Sequence, residues 1–119
     1  MRHACVYDNE GDREGALNAI RTVLSQFENL FRNAGDVHNG FPASIPLDKL
    51  EGREQYDPLM LEENLMFGSP DRVIEKLKRY QALGINEFIY YASMGLDHAS
   101  QQKSLRMFVN EVMPEFEKG

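Results

Sequence analysis

Residues 67–91 read FGSPDRVIEKLKRYQALGINEFIYY, and this stretch holds a helix with both ends marked and a strand after it. Ser69 is a favoured N-cap, and Pro70 follows at the first helical position, where its missing N–H is no loss. Asp71 puts a negative charge at the positive end of the helix dipole. Val73, Ile74, Leu77 and Tyr80 recur at three- and four-residue intervals and build one apolar face. Gly84 suits the left-handed position that closes a helix, with Tyr80 and Ile85 placed for the apolar contact of such a cap. Phe88 to Tyr91 is then a continuous apolar run, which predicts a strand covered on both faces. Leu65 to Phe67 is a shorter run of the same kind before the helix. Strand, glycine turn, helix, glycine turn, strand is the pattern of a parallel βαβ crossover.

Working outward, His3 to Tyr7 predicts an opening strand. Asp8 to Gly11 forms the turn after it, and Asp12 is expected to cap the next helix. Ala16, Leu17, Ile20, Val23, Leu24, Phe27, Leu30 and Phe31 form a wide stripe that predicts a helix from about Asp12 to Asn33, packed on a sheet. After Tyr91, the small residues 92–96 make a turn and Asp97 caps a last helix. Its apolar face is Leu105, Phe108, Val109, Val112, Met113 and Phe116, with Pro114 expected to kink or stop it. Residues 36–62 are different: three of the chain's five prolines and two glycines fall there, with little periodicity. A loop that long in a compact domain is functional, mobile or misread. It is expected as a loop or arm, with a turn of helix near residues 46–51.

The chain has 119 residues, enough for one domain or part of one. Its net charge of −6 gives no footprint for nucleic acid or an anionic membrane. With 42% hydrophobic residues it can build a core. No apolar run approaches the roughly 20 residues of a membrane span, and no signal-peptide pattern opens the chain. One cysteine, Cys5, excludes an internal disulfide and fits a cytoplasmic location.

The second half resembles the last quarter of the bacterial-luciferase-like flavin monooxygenases. Members close with a G-[ST]-P-x-x-V-x-x-x-[LI] helix, an A-x-G-[IV]-[DN]-x-[FI] approach to a strand, and a C-terminal helix ending near a proline. These elements correspond here to Gly68, Ser69, Pro70, Val73 and Leu77; to Ala82, Gly84, Ile85, Asn86 and Phe88; and to Met113 and Pro114. The resemblance implies an α/β fold, the C-terminal part of a TIM-type (β/α)₈ barrel with parallel strands. A whole barrel takes about 250 residues, so this chain supplies roughly three of its βα units. Residues 1–119 would then be a single partial barrel domain, its strands the sixth, seventh and eighth. The edges of such a piece imply a homo-oligomer or a missing N-terminal barrel half.

The resemblance further implies a flavoprotein oxidoreductase. In the family, reduced FMN and oxygen oxidise a small organic substrate, with the cofactor carrying the hard chemistry. Barrel chemistry sits at the C-terminal ends of the strands, often with a phosphate near a helix N-terminus. That makes Gly68, Ser69, Tyr90, Tyr91 and Ser93 the candidate cofactor-binding residues and His98 a candidate acid–base group by position. Each has a plainer reading: Ser69 as an N-cap, one tyrosine as core packing. His3 and Cys5 alternate onto one face of the first strand, where a buried hydrophobic Cys is the plainer reading. His3, His38 and His98 lack metal-ligand spacing. Glu62 and Glu63 precede the second strand of the core, on the stability face of a barrel, and are expected to play no catalytic part. A rival reading is a non-catalytic module that binds flavin or assembles with itself.

Overall fold

In a computed structural model, residues 2–32, 37–38, 40–42, 53, 56–92 and 94–117 are described. The first strand, β1 (Arg2–Val6), leads into α1 (Glu10–Arg32). Asn9, rather than Asp12, caps this helix. Its side-chain oxygen accepts from the Asp12 N–H at 2.8 Å and its carbonyl from the Arg13 N–H at 3.1 Å, so α1 begins two residues earlier than the stripe suggests. Ala16, Leu17 and Ile20 are buried as expected. The side chains of Phe27, Leu30 and Phe31 lie outside the described residues.

Most of residues 36–62 also lie outside the description, including the helical turn expected near 46–51. What is described there is a short antiparallel pair, β2 (Val37–His38) with β3 (Phe41–Pro42), and a helix, α2 (Pro58–Asn64). Pro58 at the first helical position was its signal in the sequence. Arg13 bonds Glu62 through its Nε and holds α2 against α1.

β4 (Met66–Gly68) and α3 (Pro70–Ala82) follow. The Ser69 hydroxyl accepts from the Arg72 N–H, and Gly84 closes α3 with φ +92°. The Gly84 N–H bonds the Gln81 carbonyl and the Ile85 N–H bonds the Tyr80 carbonyl. That pair of bonds is the Schellman motif, and both helix ends are therefore as the sequence indicates. β5 is short (Tyr90–Tyr91). After it come α4 (His98–Met107), a π-helical turn at Phe108–Val112, and α5 (Pro114–Glu117). Pro114 lacks an N–H for the α-helical ladder, and the wider turn ends at Val112, with Met113 as its cap before the proline.

The three core strands form a parallel sheet in the order β4-β1-β5. Strand side chains alternate between faces, and each face has its own core. Cys5, Tyr7 and Phe67 pack with Ala16, Leu17, Ile20 and Leu61, the α1 side. Ala4, Val6 and Met66 pack with Val73, Leu77 and Val112, the side of α3 and the C-terminal helices. The parallel strands and helical crossovers match the sequence reading. The order does not display a barrel portion: consecutive barrel units would place the strands β1-β4-β5, whereas here β1 is central and helices cover both faces, as in a doubly wound sheet.

Two expectations about burial are corrected. The run from Phe88 to Tyr91 is not covered on both faces: Ile89 is 54% and Tyr91 38% exposed. The α1-side core ends at β1 and β4, and nothing in it reaches over β5. In the last helix Ser104 is buried while Leu105, Val109 and Met113 are exposed. The inward stripe there is Ser104, Met107, Phe108 and Val112.

Candidate functional site

The C-terminal ends of the strands are where an α/β sheet presents a crevice, at the point where the strand order reverses. Here that point lies between β1 and β5. Register pairs Arg2 with Tyr90 and His3 with Tyr91, and pairing stops there. The Val6 N–H, which points toward β5, is taken instead by the Ser104 hydroxyl at 2.9 Å. Beyond Ser104 a crevice of about 130 Å³ opens between the end of β1 and the first turns of α1 and α4.

Its mouth is charged. Lys103 donates to the Asp12 carboxylate at 2.7 Å and lies 3.6 Å from that of Asp8. Hydrogen bonding to Lys103, then to Asn9, holds Asp12 below the usual carboxylate range. Asp97 caps α4, accepting from the Ser100 N–H at 3.1 Å and the Ser100 hydroxyl at 2.6 Å. Those two bonds depress its pKa as well. One lysine therefore meets two carboxylates, Asp12 and Asp8.

The sequence-derived site residues are not gathered around this crevice. Gly68 and Ser69 end β4, on the far side of β1 from β5, roughly two strand spacings or 10 Å across the sheet. Tyr90 and Tyr91 do point to opposite faces. Tyr90 stacks 4.5 Å from the Phe108 ring and hydrogen-bonds the Ser104 hydroxyl. Burial pushes its phenol up to about 12. Tyr91 sits edge-on to His3, 4.8 Å between centroids. Ser93 lies outside the described residues. His98 is exposed at the start of α4, its Nε2 2.9 Å from the Gln102 amide. Cys5 is a buried core residue whose thiol is pushed up by burial. Among the described residues no cluster of His, Cys, Asp and Glu could hold a metal.

Two residues carry more of this end of the molecule than the sequence indicated. Ser104 joins Val6, Tyr90 and α4, and a serine inside an apolar stripe gave no signal. Lys103 ties α4 to the α1 turn, and only its charge, opposite to those of Asp8 and Asp12, could have suggested it. Tyr7, next to the crevice, has a buried hydroxyl without a hydrogen-bond partner of good geometry among the described residues. It faces Glu62, and burial followed by that carboxylate raises its pKa. A larger apolar groove, about 530 Å³, lies at the other end, lined by Tyr80, Ile85, Phe88, Phe108, Met113 and Phe116 among others.

Compared with proteins of known function, the chain is 29% identical over 116 residues to the oxygenase component of a flavin-dependent trigonelline monooxygenase from Acinetobacter baylyi. The chain is similar to a flavin-dependent monooxygenase component. The match takes in 98% of this chain and 32% of that protein, so the chain spans about a third of the length of its relative. No family model matches the chain, and no solved structure matches it.

The crevice at the strand ends is too small to hold a flavin by itself. A crevice of about 130 Å³ falls below the ~300 Å³ at which small-molecule pockets begin. The turn after β4 is filled by the chain itself. A Cβ at Gly68, where φ is +150°, would come within 2.9 Å of the Arg72 side chain, so the glycine is explained by the close approach of α3. Ser69 is engaged as a cap, Pro70 has no N–H, and Asp71 would repel a phosphate.

Proposed function

We propose that the chain is a C-terminal portion of a luciferase-like, flavin-dependent monooxygenase that acts on a small organic substrate with oxygen, using reduced FMN. What carries this reading is the similarity to a flavin-dependent oxygenase component along 98% of the chain, joined to the G-S-P helix motif at Gly68 to Pro70. On this reading the protein is a cytoplasmic oxidoreductase. The chain contributes the ends of three strands to a site that other polypeptide completes, either a second copy or an N-terminal barrel half. Gly68, Ser69, Tyr90, Tyr91 and Ser93 would border the flavin, and His98 would be the candidate acid–base group. No helix among the described residues is long and apolar enough to cross a membrane.

The test is a titration of the 119-residue chain with FMN, oxidised and then reduced without oxygen, followed by flavin absorbance and fluorescence. Saturable binding near one flavin per chain or per pair of chains is the expected outcome. A Ser69→Asp variant that weakens binding at least tenfold would put the phosphate at this turn in spite of Asp71; one that leaves binding within about threefold would put it elsewhere. Absence of binding in both redox states would retire flavin chemistry for this chain alone. A second reading, a self-assembling module without turnover, is favoured by the smallness of the crevice and by the unpaired edge of β5.

A further inference from the structure

In a parallel ladder the N–H and C=O groups of alternate residues point to opposite sides of a strand. The Tyr7 N–H bonds the Gly68 carbonyl, so the even residues of β4 face β1, and Leu65 and Phe67 turn outward. Three of the four backbone groups in that outer row are engaged within the chain. The Leu65 N–H bonds the Leu61 carbonyl of α2 at 2.9 Å. The Leu65 and Phe67 carbonyls both accept from the Lys76 ammonium, at 3.0 and 2.9 Å, and its third bond goes to the Glu62 carbonyl. An ammonium has three donors, so all of them are spent here, and Lys76 is only 5% exposed.

More charge surrounds that contact. Arg72 and Arg79, which flank Lys76 on α3, pair with Glu63 of α2 at 2.9 and 3.8 Å. A recess of about 230 Å³ beside the edge is lined by Glu63, Leu65, Met66, Lys76 and Arg79 among others. A strand entering it would displace the ammonium from three carbonyls and take the neighbouring charges out of water, which is costly for charges that lose their partners.

We infer that Lys76 guards the β4 edge: with its ammonium in place no further strand, from this chain or any other, pairs there. A charge set into the edge row is a known means of refusing strand addition. Residues 65–68, LMFG, carry neither charge nor proline of their own, so the protection comes from the helix that follows them. The inference goes beyond the function proposed above and holds whether or not the chain binds flavin.

Light scattering and sedimentation of the full chain test it, with infrared amide bands to detect intermolecular strands. Lys76→Met, where circular dichroism shows it folded, is expected to reach about fivefold the wild-type mass or more and to gain the intermolecular band. Val73→Ala empties a fully buried site on the same helix but leaves the row intact, and it should keep the wild-type mass although it lowers stability. A folded Lys76→Met that keeps the wild-type mass would overturn the guard. So would a Val73→Ala that assembles as far, since lost stability would then account for both. If Lys76→Met does not fold, the wild-type ammonium decides. Held by three carbonyls, its nitrogen-15 NMR signal should persist at neutral pH; a signal lost to exchange with water, as in a free lysine, would overturn the contact and the guard with it.

Discussion

At the β4 edge the outward carbonyls of Leu65 and Phe67 both end on one buried ammonium, whereas at the β5 edge the outward groups of Phe88, Tyr90 and Ala92 meet nothing among the described residues. The two strands read alike in sequence, each a short apolar run beside a glycine turn. What separates them is the helix that accompanies each. α3 follows β4 and sends Lys76 back around its edge, while the residues after β5 turn away toward α4 and place Ser104 against β1 instead. The difference explains the strand order. With β4 occupied on its outer side, β5 pairs with the remaining edge of β1.

The largest expected effect comes from removing the seal. Lys76→Met keeps the stem that packs under α2 but leaves three carbonyls without their donor. Each unsatisfied carbonyl costs about 1–3 kcal/mol when buried. Part of that is recovered because the ammonium, whose pKa burial lowers, no longer has to be desolvated. Three acceptors outweigh one donor here, so a net loss of about 2–3 kcal/mol is expected in urea unfolding. A loss below about 0.5 kcal/mol would mean that water replaces Lys76 freely and that the two edges are less different than the geometry indicates.

Much of this was legible beforehand, and the reason is locality. Ser69, Pro70 and Asp71 at one end of α3 and Gly84 at the other are short-range chemistry, and they appear where they were read. The first part of the α1 stripe, Ala16 to Leu24, and the Asp97 cap belong to the same class. The strand order was not legible, because it turns on an ammonium reaching from Lys76 to carbonyls 9 to 14 residues away. The burial of β5 failed for a related reason: an apolar run says that cover is wanted and does not say that the chain supplies it. Of the candidate site, the opposite facing of Tyr90 and Tyr91 followed from alternation. The role of Ser104 did not, since one polar residue among Met107, Phe108 and Val112 looks like noise in a periodicity.

Ser104→Ala probes the middle of the same contrast, the seam where β5 leaves β1. It removes the nearer acceptor of the Val6 N–H, leaving the Tyr90 hydroxyl at 3.3 Å, and the Ser104 partner of that hydroxyl. An expected loss of about 1 kcal/mol follows from leaving these partly buried groups with only their longer mutual bond. Faster amide exchange at Val6 in the variant, with Gly68 unchanged, would assign the loss to the β1–β5 seam; equal acceleration at both would assign it to the whole sheet.

The smallest effect belongs to His3, which packs edge-on against Tyr91 at the open side. Burial lowers its pKa, so the folded chain binds fewer protons than the unfolded one across the interval just below the ordinary histidine value of about 6.5. Stability is therefore complete above that value and falls as the pH drops through the interval toward the lowered folded pKa. Proton NMR of the His3 ring should show titration below that of a free histidine, and His3→Gln should flatten this part of the pH profile. If a second strand adjoins β5, the Tyr91–His3 contact loses more water on association. Concentrating the protein should then lower the His3 pKa further, and dilution should restore it. A His3 titration independent of concentration in a sample that sediments as a pair would put the contact elsewhere, and the two edges would no longer differ in what they recruit.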